Sequence, residues 1–135
     1  MKNTKQSGKF TLFAYQHKSH YFIGVCLEFD LIVEGRTLIE AKKRILESSL
    51  NYLCTVIKNN LSEKLLNFSP DPIYLKKYLE LLKRRVKTIE KIEEKIDTKE
   101  EQKSEKLIPW DEYFSQDVPY NKGTLNELKK EKLCV

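Results

Sequence analysis

The stretch Tyr21–Leu53, YFIGVCLEFDLIVEGRTLIEAKKRILESSLNYL, constrains this chain more than any other. It holds two short apolar runs, a glycine turn, a helix-start signal and an amphipathic helix in unbroken succession. Aromatic and β-branched runs that pass directly into a three-to-four-residue apolar period leave few solutions. The simplest is a small sheet with a helix laid across it.

Each element has its own local signal. In KFTLFAYQH, Phe10, Leu12 and Ala14 alternate with Thr11, Phe13 and Tyr15, the period of a strand. Both sets carry apolar or aromatic side chains, so this strand expects cover on both faces. Lys18 and Ser19, flanked by His17 and His20, form a polar break. Tyr21–Leu27 predicts a second strand completing a hairpin, and Phe29–Val33 a short third one. Gly35 suits a turn out of the sheet at positive φ. Thr37 and Glu40 make a capping box. From there Leu38, Ala41, Ile45, Ser49, Tyr52, Leu53 and Val56 form one stripe. The helix is expected over 38–58, fading at Asn59-Asn60. Residues 1–68 are thus expected to be an α+β module: a three-stranded antiparallel sheet covered by an amphipathic helix, with a helical extension after it.

Composition limits what surrounds that module. The 135 residues suffice for one domain, or a small domain with an appendage. Residues 1–60 carry 9 basic and 5 acidic side chains, and residues 61–135 carry 16 and 15. So dense yet balanced a second half argues against indiscriminate nucleic-acid binding, which needs a face of one sign. Cys26, Cys54 and Cys134 are an odd number with no C-x-x-C pair, which favours free thiols and a reducing compartment. No apolar run approaches the roughly 18–20 residues of a membrane span. MKNTKQSGKF is not followed by the apolar core of a secretion signal, so a cytoplasmic location is expected.

Ser69-Pro70-Asp71-Pro72 marks a boundary, with Asp71 as N-cap and Pro72 at the first helical position. A second helix is expected across 69–96. Leu75, Leu82, Ile89 and Ile96 recur every seven residues, with Tyr78, Arg85 and Ile92 between them and Leu79 and Val86 widening the stripe. Such heptads fit either a dimer-forming helix pair or packing on the chain's own module. Residues 97–106, DTKEEQKSEK, hold no apolar side chain and read as a charged linker. Residues 107–135 form a tail anchored by Pro109, Trp110, Tyr113 and Phe114, which docks on its own core or on a partner. A last short helix is expected from a capping box at Thr124 and Glu127.

No catalytic motif emerges, and no enzyme activity, cofactor or metal is expected. Glu28, Asp30 and Glu34 lie close in sequence, but a two-metal nuclease draws carboxylates from several elements. His17, His20 and Cys26 would leave zinc short of a supported site. Cys26 lacks an obvious activating base. The basic run Lys83, Arg84, Arg85 and Lys87 is the candidate nucleic-acid surface. On a helix those four spread around more than half the circumference among Glu80, Glu90, Glu93 and Glu94, as a solvated face also would.

Over residues 10–55 the chain resembles the HicB-like antitoxin family. The residues that carry the resemblance are Tyr21 opening the second strand, Glu28 at the acidic corner, Gly35 in the turn, and Thr37, Glu40 and Ala41 at the helix start. The resemblance implies a partial RNase H-like module that has lost the nuclease machinery. Such modules pair with small mRNA-cleaving HicA-like toxins and block them by contact, and many bind operator DNA through an added C-terminal element. A fourth strand usually follows the helix in that family; LSEKLLNFSPDP is polar and proline-broken and does not read as one. The expected function is a protein-binding antitoxin with Tyr21, Glu28 and Asp30 toward the partner. The alternatives are a nucleic-acid-binding regulator using the basic helix, or an orphan interaction protein of this fold. A homodimer is expected from open sheet edges and from the heptads.

Overall fold

In a computed structural model, which describes residues 2–84 and 113–130, the alternating run near the N-terminus is an interior strand of the sheet. This strand, β1 (Gly8–Lys18), turns through Ser19-His20 into β2 (Tyr21–Cys26), and β3 (Leu31–Gly35) returns alongside. β3 begins two residues later than the expected Phe29–Val33. Phe29 is instead drawn into the core, its ring 4.9 Å from that of Phe10 and 5.1 Å from that of Tyr52. Asp30 then reverses the chain at φ 54, a conformation that Asp tolerates better than most residues.

Gly35 departs from expectation in its reason for being glycine. None of the described glycines has positive φ; His20, Asp30 and Asn60 do. What Gly35 provides is room, since a Cβ there would lie 2.7 Å from the Ala41 amide nitrogen. The strand end and the first turn of the helix meet backbone to backbone.

That helix, α1 (Leu38–Lys58), has the expected bounds. The Thr37 hydroxyl accepts the Glu40 N–H at 3.1 Å, satisfying one orphan donor of the first turn. Ala41, Ile45, Ser49, Leu53, Cys54 and Val56 are buried. Of these, Ile45, Leu53 and Val56 meet Phe10, Leu12, Cys26 and Phe29 in one apolar cluster. A single 3₁₀ turn, Glu63–Leu66, closes the far end of α1, where the Tyr52 hydroxyl donates to the Leu65 carbonyl at 2.6 Å. Asn3 and Asn67 tie the N-terminus to that turn, Asn3 N–H donating to Asn67 Oδ1 at 2.7 Å and Asn67 Nδ2 to the Asn3 carbonyl at 2.9 Å.

The sheet has four strands, not three, in the order β3-β2-β1-β4. The fourth, β4 (Tyr113–Tyr120), comes from the segment expected to be a tail. It pairs antiparallel with β1 from Gly8↔Tyr120 to Tyr15↔Tyr113. Its direction follows from the route of the chain. The C-terminal end of α1 lies at the start of β1, where Lys5 Nζ donates to Asn60 Oδ1, so a strand following directly would run parallel to β1. Reaching β4 from the opposite, hairpin end makes it antiparallel. A short helix follows, Lys122–Lys130. It is capped by Asn121, whose Oδ1 accepts the Thr124 N–H at 3.0 Å; the cap is therefore not Thr124.

The second face of the sheet is covered too, as the two-sided composition of β1 requires. Residues 72–84 form a helix, α2, with the Asp71 carboxylate accepting the Ile73 N–H at 2.9 Å. Tyr74, Tyr78 and Leu81 pack on Phe13, Tyr15, Val25 and Leu27. Of the expected heptad residues within this helix, Tyr78 meets the sheet, whereas Leu75, and Leu79 that was to widen the stripe, are exposed. The remainder of the expected helix, the linker 97–106 and residues 107–112 lie outside the described residues. The last helix, Lys122–Lys130, is α3.

Candidate functional site

Of the three residues expected to meet a partner, two lie at opposite ends of β2. Tyr21 opens the strand at the hairpin end, and Asp30 sits in the turn beyond its other end. At about 3.4 Å per residue the strand alone spans roughly 17 Å, so they do not form one small patch. Glu28, the third, turns inward. Its carboxylate accepts the Thr11 N–H at 2.6 Å and the Thr11 hydroxyl at 2.9 Å. It thereby supplies the acceptor that β1 lacks just past the paired end of β2, a structural task.

The hairpin end is where polar side chains converge. The Tyr21 hydroxyl donates to Glu34 Oε1 at 2.6 Å, and this hydrogen bond to a carboxylate holds the phenol above its ordinary pKa. Lys18 Nζ lies 5.4 Å from the centre of the same ring, and the His17 ring 5.6 Å. Arg44, on the solvent side of α1, donates to the Glu34 carbonyl at 2.8 Å and pairs with Glu40 at 2.9 Å. Both carboxylates thus have partners within the protein, and Arg36 is exposed with no ion-pair partner among the described residues. Tyr21, Glu34, Arg36, Glu40 and Arg44, with His20, line an open groove of about 570 Å³. A second groove of about 610 Å³ shares His20 and Arg36 and is walled by Phe22, Leu38 and Ile39. Ile39 is 78% exposed, the most exposed large apolar side chain among the described residues. The pair of grooves sets a cation without an ion-pair partner among the described residues beside exposed apolar surface, a combination suited to a protein or peptide bearing a carboxylate and an apolar side chain.

Sequence reasoning missed Arg36, Arg44 and Ile39. Their signal was present: Arg44 lies four residues after Glu40 and outside the buried stripe, and Arg36 and Ile39 flank the cap. Only the return of β3 beside Tyr21 joins them to the hairpin.

The remaining candidates separate. His17 and His20 lie at the hairpin, whereas Cys26 is at the other end of β2. Among the described residues no three His, Cys, Asp or Glu side chains group as metal ligands. Burial pushes the Cys26 thiol up to about 12, so it is an inert neutral group at physiological pH. Cys54 is disulfide-bonded, which corrects the expectation of free thiols at that position and removes its support for a reducing compartment. Spacing alone could not reveal the bond, because no neighbouring cysteine announces it. Cys134 lies outside the described residues. On α2, Lys83 and Arg84 are exposed, while Arg85 and Lys87 lie outside the described residues.

No family model, curated protein or solved structure matches the chain. No described helix is long and apolar enough to cross a membrane.

Proposed function

We propose that this protein is a non-catalytic, protein-binding module of the HicB-like kind, which neutralises a small RNA-cleaving toxin by direct contact. The observation that carries this reading is the four-stranded sheet. A hairpin, a third strand and a covering helix are joined by a fourth strand beside β1, and the resemblance over residues 10–55 implies a strand beyond the helix. Its antiparallel entry, after residues 59–112, is this chain's own variation. Engagement of Glu28 by Thr11 also supports a module without nuclease chemistry, because each oxygen of that carboxylate already accepts a hydrogen bond within the fold.

The contact surface in this reading is the hairpin end, with Tyr21 and Arg36 supplying polar anchors and Ile39 an apolar one. Tyrosine and arginine side chains that become desolvated in a contact are the usual carriers of binding energy. Co-expression with the product of a neighbouring small reading frame tests the proposal. The expected result is a co-purifying complex and restored growth, both weakened by Arg36→Glu without loss of folding. A toxic neighbour that neither binds nor is neutralised contradicts it.

A further inference from the structure

The two grooves at the hairpin end differ in charge. His20 and Arg36 line both and so stand where the two meet. On one side both signs are present and engaged: Glu34 accepts the Tyr21 hydroxyl, and Glu40 pairs with Arg44. On the other side, in the groove of about 610 Å³, the described lining residues apart from His20 and Arg36 are uncharged. The one fixed charge there is the Arg36 guanidinium, which has no ion-pair partner among the described residues. Beside it lie Phe22 and Leu38, half-buried, and the exposed Ile39.

These features set the chemistry of an occupant. Covering Phe22, Leu38 and Ile39 takes an apolar side chain, which a simple ion does not supply. A guanidinium is matched by a carboxylate, which it can meet through two parallel N–H···O bonds. A phosphorylated segment carries close to two charges and is read by clusters of arginine, and a nucleic-acid strand asks for a row of cations along its phosphates. This groove has a single arginine. Charge and apolar surface share one cleft of small-ligand size, so the two groups of the occupant are neighbours.

We propose that the groove between the β1–β2 hairpin and the start of α1 recognises an acidic residue next to an aliphatic one in a segment of a partner protein. Arg36 binds the acidic side chain, and Phe22, Leu38 and Ile39 receive the aliphatic one. The proposal rests on the protein-binding reading of the hairpin end and names the chemistry of what binds there.

Titration of the isotope-labelled full chain with acetyl-Asp-Leu-amide, followed by NMR, tests it. The expected result is saturable amide shifts confined to His20, Phe22, Arg36, Leu38 and Ile39, half-complete near about 1 mM peptide. Acetyl-Asn-Leu-amide should bind about threefold more weakly, the size of one exposed charge pair. In Arg36→Glu the preference should invert toward acetyl-Lys-Leu-amide, a change that loss of folding cannot produce, whereas Ile39→Ser should weaken all three peptides alike. Equal binding of the Asp and Asn peptides overturns the proposal, as do shifts elsewhere on the chain or none up to about 10 mM. Inorganic phosphate giving the same shifts at lower concentration, or acetyl-Asn-Leu with a free C-terminus matching the Asp peptide, overturns the side-chain carboxylate. A toxin that binds the chain while the peptides do not leaves the antitoxin reading standing and removes this one; peptide binding beside a toxin that fails to bind does the reverse.

Discussion

Residues 8–58 and residues 113–130 share one core, yet the signals that place them there differ in kind. β1, β2, β3 and α1 follow one another in space as they do in sequence, each announced by its own period and cap. β4 reaches β1 across the whole module, pairing Gly8 with Tyr120. Nothing within YFSQDVPY names that partner. What selects it is the open edge that β1 would otherwise present, a row of unpaired N–H and C=O groups that binds whatever strand the chain can deliver. Local chemistry decides what an element is; an unsatisfied edge decides where it goes.

The sharpest way to break this comparison is to truncate one ring from each region. Phe10 is fully buried, and Tyr120 packs beside it at 6.2 Å while donating its hydroxyl to the Thr4 carbonyl at 2.8 Å. Phe10→Ala and Tyr120→Ala should each cost about 3–5 kcal/mol in denaturant unfolding. A near-neutral Tyr120→Ala would return β4 to the status of an appendage. Gly35→Val should cost about 1–3 kcal/mol by forcing β3 off Ala41, again by denaturant midpoint. Glu28→Ala should cost a similar or slightly smaller amount, about 1–3 kcal/mol, by leaving the Thr11 N–H without its acceptor. If Glu28 served only a partner, its removal would leave the thermal midpoint unchanged. The smallest effect belongs to the most local signal: Thr37→Ala should cost about 1 kcal/mol through the lost cap.

Those magnitudes follow the line along which the sequence was legible. The bounds of α1 were readable because Thr37 and the stripe from Ala41 to Val56 fix both its start and its buried face. Two-sided cover on β1 was readable because Phe10 and Phe13 point opposite ways. The start of β3 was not, since Phe29 fits a strand and a core plug equally well. In β4 the alternation was present, Phe114, Val118 and Tyr120 facing α1 with Ser115 and Asp117 between. Pro119 interrupts that alternation, and proline is tolerated on an edge strand such as this one. On α2, both Tyr78 and Leu79 are apolar, and which of them meets the sheet is decided by Phe13, whose ring lies 5.4 Å from that of Tyr78. The groove residues were harder still, because Arg36 and Arg44 acquire a shared role only when β3 lies beside Tyr21.

Amide hydrogen exchange along β1 tests the central claim most directly, that the segment 113–120 completes the sheet. Neighbouring residues of an interior antiparallel strand bond to opposite neighbours. The Thr11 carbonyl accepts the Leu27 N–H at 3.1 Å, so Phe13 and Tyr15 address β2, and Leu12 and Ala14 address β4. With β4 in place, Leu12 and Ala14 should exchange as slowly as Phe13. Fast exchange at Leu12 and Ala14 beside a protected Phe13 would show that β1 is an edge strand, and would contradict the four-stranded account.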